Sequence, residues 1–250
     1  MKKVLHHCLL IFCIGCLPAS PALADELRIA VASNFTNTIK HLAAQFEQQS
    51  GHSITLIFGS TGKHYAQIKN GAPFDLFFAA DARRPRLLDQ EGIAVNGSRF
   101  TYAIGKLVLW SPQPGLVDPE GKVLSQQSFH HLAAANPKLA PYGKAAQQVL
   151  QQKKLWSELR GKIVRGENIG QTYQFVKSGN AELGFVAYSQ IKSPDQVTEG
   201  SLWNIPQSLY TPIKQQVVAL KESPAALAFL SFVKSSEGQT IIRSFGYGTT

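Results

Sequence analysis

Sulfur and charge are both scarce in this chain. Of its 250 residues three are cysteine and one is methionine, and charged residues make up only 16%. Cys8, Cys13 and Cys16 all fall within the first 24 residues, so the remainder has no cysteine, which excludes disulfides, a thiol nucleophile and cysteine-ligated metals there. No heptad pattern is sustained, glycine numbers only 20, and a single long apolar stretch occurs; coiled-coil, collagen-like and polytopic membrane classes therefore fail. Missing too are the G-x-S-x-G elbow, H-E-x-x-H and G-x-G-x-x-G, which removes the usual support for hydrolase, zincin and dinucleotide-binding readings. Gly59-Ser60-Thr61-Gly62-Lys63 comes near a phosphate loop, but Ile57 stands where the first glycine belongs and His64 where Ser or Thr is needed. What is present is enough apolar surface, 44% of residues, to bury a core and exclude wholesale disorder.

The one long apolar stretch opens the chain. Residues 1–24 carry Lys2 and Lys3, then Leu, Ile, Phe and Cys, then Ala22-Leu23-Ala24, the layout of a cleavable secretory signal peptide. A membrane anchor is the competing reading; His6 and His7 on one side and Pro18 and Pro21 on the other leave the middle too short to span. A further variant is lipidation at Cys16. Removal of the peptide takes two lysines and no acid from 25 basic and 16 acidic residues, leaving 23 against 16 and a net charge of +7. The basic residues are spread thinly, with small clusters at Arg83, Arg84 and Arg86 and at Lys153 and Lys154, no interleaved aromatics and no helix-turn-helix pattern, so no nucleic-acid partner is expected. The excess charge suffices only to steer anions weakly.

Beyond the signal, short apolar runs alternate with helical stripes. LRIAVA (27–32), a helix carrying Phe35, Ile39, Leu42, Ala43 and Phe46, ITLIF (54–58), a helix over about 63–70 and FDLFFAA (74–80) form a first strand–helix set. YAIGKLVLW (102–110) reads as one long strand, SFHHLAAA (128–135) as a helix, and KAAQQVLQQKKLW (144–156) as one helix or two. KIV (162–164), IGQTYQFVKSG (169–179) and ELGFVAY (182–188) repeat the order, and KQQVVAL (214–220) precedes a helix capped by Ser223 and Pro224. Apolar runs buried on both faces and separated by single helices predict α/β architecture with mostly parallel sheets flanked by helices. Two such sets without a linker predict two lobes joined by crossing strands, with a ligand cleft between them. The expected division is 25–103 with 213–250 in one lobe and 104–212 in the other.

Four strand-to-helix junctions share one chemistry: Ser33 and Asn34, Ser60 and Thr61, Tyr142 and Gly143, and Asn168, Ile169 and Gly170. Each puts unpaired backbone N–H groups and a hydroxyl or amide at a helix N-terminus, where negative charge is favoured. Plain N-capping explains any one of them alone. Together they lie at the carboxyl ends of strands, where ligands of open α/β sheets bind, and would form an anion cage. A cage of donors alone suits a fully ionised oxyanion, since a protonated one needs an acceptor. Glu167 and Lys63 are the nearby charges and are expected to point outward. The histidines at 41, 52, 64, 130 and 131 are expected to be satisfied or solvated. An exported enzyme remains open as an alternative, with Glu167 and His64 its only obvious candidates, as does a regulatory effector domain.

VASNFTNTIKHLAAQF, FGSTGKHYAQIKNGAPFDLFFAAD, YAIGKLVLWSP, APYGKAAQQVL, GENIGQTYQFVKSGNAELGFVAYSQI and VVALKESPAALAFLSFVKSSEGQTIIRSFGY, in that order, resemble the periplasmic molybdate-binding (ModA) family of bacterial ABC importers. The resemblance implies a type II periplasmic binding protein fold that closes on tetrahedral molybdate or tungstate and delivers it to a membrane permease with its ATPase. By position it carries the ligand role to Ser33, Asn34, Ser60, Tyr142 and Ile169, molybdenum being held only as the oxyanion with no direct protein ligand. Ala187 stands where some members place a ligand tyrosine, with Tyr188 one step later, so Tyr142 is the expected hydroxyl donor. No cofactor and no catalysis are expected, and the protein is expected to be a monomer in the periplasm. Another oxyanion such as sulfate would use the same hydrogen-bond chemistry.

Overall fold

The computed structural model describes residues 26–194 and 197–248; the expected signal peptide and Cys16 lie outside them. The chain begins with β1 (Glu26–Ala32), a 3-10 turn (Ser33–Phe35), α1 (Thr36–Ser50), β2 (Ser53–Gly59), α2 (Thr61–Lys69), β3 (Leu76–Ala79), α3 (Arg83–Gln90) and β4 (Phe100–Gly105). It continues through β5 (Leu107–Ser111), α4 (Val123–Gln126), β6 (Leu132–Ala135), α5 (Pro141–Gln152), α6 (Trp156–Leu159), β7 (Ile163–Gly166), α7 (Ile169–Lys177), β8 (Leu183–Ala187), α8 (Tyr188–Ile191) and β9 (Ser201–Asn204). It ends with β10 (Ile213–Ala219), α9 (Pro224–Lys234) and α10 (Ser236–Ser244).

Two five-stranded sheets result, ordered β2-β1-β3-β10-β4 and β7-β6-β8-β5-β9. The pairings leave four strands of each sheet running one way and reverse one, β10 in the first and β5 in the second. The reversal has a simple cause. β1 and β2, like β6 and β7, end at the gap between the sheets, so a strand that has just crossed that gap must start there and run against its neighbours. β5 and β10 are those two strands, entered from Gly105 through Lys106 and from Ile205 to Pro212. Tyr210 Oη accepts a hydrogen bond from Leu107 N (3.1 Å), so the two crossings are tied to each other.

Each lobe has its own core. In the first, Phe35, Phe78, Tyr102 and Phe229 interlock, with Phe35 and Tyr102 ring centres 4.7 Å apart, beneath the α1 stripe of Ile39, Leu42 and Phe46. In the second, Leu109, Leu132, Val149, Leu183, Phe185 and Trp203 fill the space between α5 and the sheet. Burial of these side chains, at about 25 cal/mol per Å² of apolar surface, is the main support of either lobe.

Two expected elements are corrected. The run 102–110 is not one strand: it breaks at Lys106 and its halves belong to different sheets, so β4 keeps its pairing with β10 to Gly105, past the expected lobe boundary at 103. SFHHLAAA is not a helix either; LAAA forms β6, between β7 and β8. Alanine favours helices in isolation, but tertiary packing overrides it. A Cβ on Gly143 of α5 would lie 2.3 Å from Ala135 O, and one on Gly184 of β8 would lie 2.8 Å from Ala133 Cβ, so α5 and β8 approach this strand closely at its alanines. Glu182 fixes its start by accepting from the His130 and His131 N–H groups (3.0 and 2.9 Å).

Candidate functional site

The four junctions come together. A small cavity of about 10 Å³ between the lobes is lined by Ser33, Asn34, Ser60, Thr61, Tyr142, Asn168 and Ile169, with Ala32, Gly59, Ala80, Ala140 and Pro141. Among the described residues no charged side chain lines it. Each wall is a strand end followed at once by a helix start: β1 into the 3-10 turn, β2 into α2 and β7 into α7, while β6 reaches α5 after a short loop. Ser60 caps α2, its Oγ accepting from Lys63 N (3.3 Å), and Asn168 caps α7, its Oδ1 accepting from Gln171 N (2.9 Å). Ala140 has no side-chain cap to offer α5, so the Tyr142 and Gly143 N–H groups receive none. In α7 the Gly170 N–H donates to Ser33 Oγ (3.0 Å), and no side chain among the described residues accepts from the first N–H of the helix, that of Ile169.

The side chains divide the work differently from expectation. Ser33 was expected to add a hydroxyl donor, yet its proton goes to Asn168 Oδ1 (3.1 Å) and its oxygen to Gly170, which makes it a clasp between lobes. Both amide protons of Asn34 are spent within the first lobe, on Gln215 Oε1 (2.8 Å) and Tyr247 Oη (2.9 Å), while its buried Oδ1 has no partner. Turning this amide alone would set two oxygens against each other, so its orientation goes with that of Gln215. Ser60 and Tyr142 keep hydroxyl protons that no described acceptor takes. Tyr142, Tyr102 and Tyr247 are all buried, and desolvation foremost raises each phenol well above its ordinary pKa, so all stay neutral.

Further bonds bridge the lobes around this cavity. Gly62 N donates to Leu139 O (2.9 Å), Ser189 Oγ to Asn34 O (3.0 Å), Gln215 Nε2 to Tyr142 Oη (3.0 Å) and Arg84 Nη2 to Lys138 O (3.1 Å). The arrangement is a closed one. Lys63 and Glu167 point outward as expected and pair across the gap at 3.5 Å, exposed enough for the pair to count for little. Tyr188 stays out of the cavity and packs against Gly246, where a Cβ would lie 2.6 Å from its ring. Arg84, which the sequence suggested as part of a solvated cluster, is instead buried and held by Asp81 as well as by Lys138 O. Gln215 and Tyr247 had not been singled out; the available signal was a glutamine at an inward register of a strand otherwise apolar on that face.

His64 sits behind the Ser60 junction, 2% exposed, with Nε2 3.2 Å from Val31 O and Nδ1 3.1 Å from Gln67 Oε1. Val31 O can only accept, so the neutral ring keeps its proton on Nε2. Burial foremost lowers its pKa below 6.5; the hydrogen bonds to Gln67 and Val31 work the other way, and Lys63 adds to the lowering. The unfolded chain then binds this proton more readily than the folded one, so the stability is intact above pH 6.5 and is lost as pH falls from there to the folded value. The melting temperature of the unliganded protein should drop between about pH 7 and about pH 5, and His64→Gln should flatten that part of the curve. Equal slopes for both proteins would show the imidazole to be irrelevant.

Two mixed sheets facing each other across a closed, uncharged cavity, joined by two crossing strands, define a two-lobed solute-binding protein. Over residues 27–248 the chain matches the family described as bacterial extracellular solute-binding protein. It is 51% identical to the molybdate-binding protein ModA of Azotobacter vinelandii over 93% of each chain. It is 49% identical to that of Rhodobacter capsulatus over 92% of this chain and 91% of the relative. The solved structure of the Azotobacter vinelandii periplasmic molybdate-binding protein superposes with a TM-score of 0.87 at 44% identity, covering 90% of this chain and 99% of that one. The chain belongs to the ModA family of molybdate-binding proteins.

Proposed function

We propose that this protein is the periplasmic receptor of an ABC importer for molybdate, and for tungstate as its near-isostere. Residues 1–24 export it, the mature chain acts as a monomer, and a membrane permease with its ATPase receives the anion. The observation that carries the reading is the cavity wall: helix starts from both lobes, free hydroxyl protons on Ser60 and Tyr142, and no charged side chain. Such a wall matches a small, fully ionised oxyanion, because charge-assisted hydrogen bonds of about 1.5–3 kcal/mol each replace its water shell. The relatives named above are molybdate-binding proteins, and the chain shares about half its residues with them. No chemistry is assigned to the cavity; it holds and hands over.

Binding shifts an open–closed equilibrium, with the Ser60 wall in one lobe meeting the Tyr142 and Ile169 walls in the other. Calorimetry with molybdate, tungstate, sulfate and phosphate is the test. Strong heats with the first two and weak or none with the others are expected. Equal heats for all four, or none, would overturn the assignment.

A further inference from the structure

We infer that Gln215 is a positioning residue that aims the Tyr142 hydroxyl proton into the inter-lobe cavity. The inference rests on the oxyanion-receptor reading above and says which atom outside the cavity wall makes that wall a donor. Gln215 lies on β10, the strand that returns from the second lobe, and is fully buried. Its Oε1 accepts from Asn34 Nδ2 (2.8 Å) and from Tyr102 Oη (2.9 Å), and its Nε2 donates to Tyr142 Oη (3.0 Å).

The Asn34 and Gln215 amides are oriented as a pair: Asn34 Nδ2 is directed at Gln215, and Oε1 is the atom that meets it. Nε2 is then left for Tyr142. A phenol oxygen has one proton, and once Nε2 donates to it that proton cannot return to Gln215. No acceptor for it is found among the described residues, and Tyr142 lines the cavity. With both Asn34 amide protons already spent, the Tyr142 hydroxyl becomes the side-chain donor that the second lobe presents to a dianion.

Gly105 is an independent mark of the same contact. A Cβ there would lie 2.2 Å from Tyr142 Oη and 2.6 Å from Gln215 Nε2. This residue, the last of the strand before the first crossing, lacks a side chain at the spot where hydroxyl and amide meet.

The test is a double-mutant cycle on molybdate affinity in the full mature chain, using Gln215→Met and Tyr142→Phe, with circular dichroism to confirm folding. Tyr142→Phe and Gln215→Met should each weaken binding about tenfold or more, and Gln215→Met should add less than about twofold once the hydroxyl is gone. Equal losses from Gln215→Met in both backgrounds would show a merely structural role and overturn the inference, as would unchanged affinity in Tyr142→Phe. If Gln215→Met does not fold, Gln215→Glu keeps the acceptor for Asn34 and Tyr102 and changes only the donor end. Its affinity should fall about tenfold or more at about pH 8, where the carboxylate takes the Tyr142 proton, and recover toward wild type at about pH 5.5, where the protonated acid donates again. Affinity unchanged at both pH values would likewise refute it. Wild-type protein that binds no oxyanion would defeat the receptor reading itself, a separate failure visible before any variant is made.

Discussion

Ser60→Asp is expected to abolish molybdate binding while leaving the unliganded protein folded and no less stable. The fold tolerates the change because Ser60 caps α2 through an oxygen that accepts from Lys63 N, and Asp is as good an N-cap as Ser. The ligand does not tolerate it. A carboxylate in the cavity wall faces a dianion at contact range, and at an effective dielectric near 20 each unit of like charge about 4 Å away costs about 4 kcal/mol. Even after partial relief by protonation, affinity should fall at least about a thousandfold. Calorimetry and a thermal melt on the same sample check both halves; near-wild-type affinity in a folded variant would place the anion somewhere other than beside Ser60.

The second large effect is expected at Gly62, which touches nothing a ligand would touch. Its N–H donates to Leu139 O, and a Cβ there would lie 2.9 Å from that oxygen and 3.1 Å from Leu139 Cα. Leu139 belongs to the other lobe, so apart from the movable end of the Arg84 side chain at 3.0 Å in its own lobe, the backbone that Gly62→Val crowds is met in the closed form. Overpacking of this kind costs about 1–3 kcal/mol, hence about a fivefold to hundredfold loss of affinity with little change in the melting temperature of the unliganded protein. Small-angle scattering should show wild type compacting on saturating molybdate and the variant compacting less. A variant that closes and binds like wild type would show that the Gly62–Leu139 contact plays no part in closure.

The walls of the cavity were legible because their signals are local. A strand end followed by Ser60, Asn168 or Tyr142 and then an amphipathic stretch announces a helix start, and helix starts at strand ends converge wherever strands are parallel. What was not legible depends on neighbours distant in sequence. LAAA became a strand because β7 and β8 pair with it, with Gly143 and Gly184 close against it, and neither that pairing nor the break at Lys106 leaves a mark in periodicity. The engagement of Ser33 with Asn168 spans 135 positions, and that of Asn34 with Tyr247 spans 213. The residue types suited to donating to an anion also suit donating to each other, so only coordinates separate the two uses. Gln215 was invisible for the opposite reason: a lone amide in an apolar strand carries no motif.

Both lobes meet at the edge where their ladders end, and each crossing strand departs from that edge. Parting the halves therefore breaks no rung of either sheet; it breaks the bonds that span the gap and the packing of Ala32, Ala80 and Gly246 against the other lobe, while Tyr210 and Leu107 keep the two connectors moving as one. Rotation about that paired connector leaves both sheets intact. The unloaded receptor can consequently pass between its shapes with no local unfolding, and the captured ion has only to tilt a balance the backbone already allows.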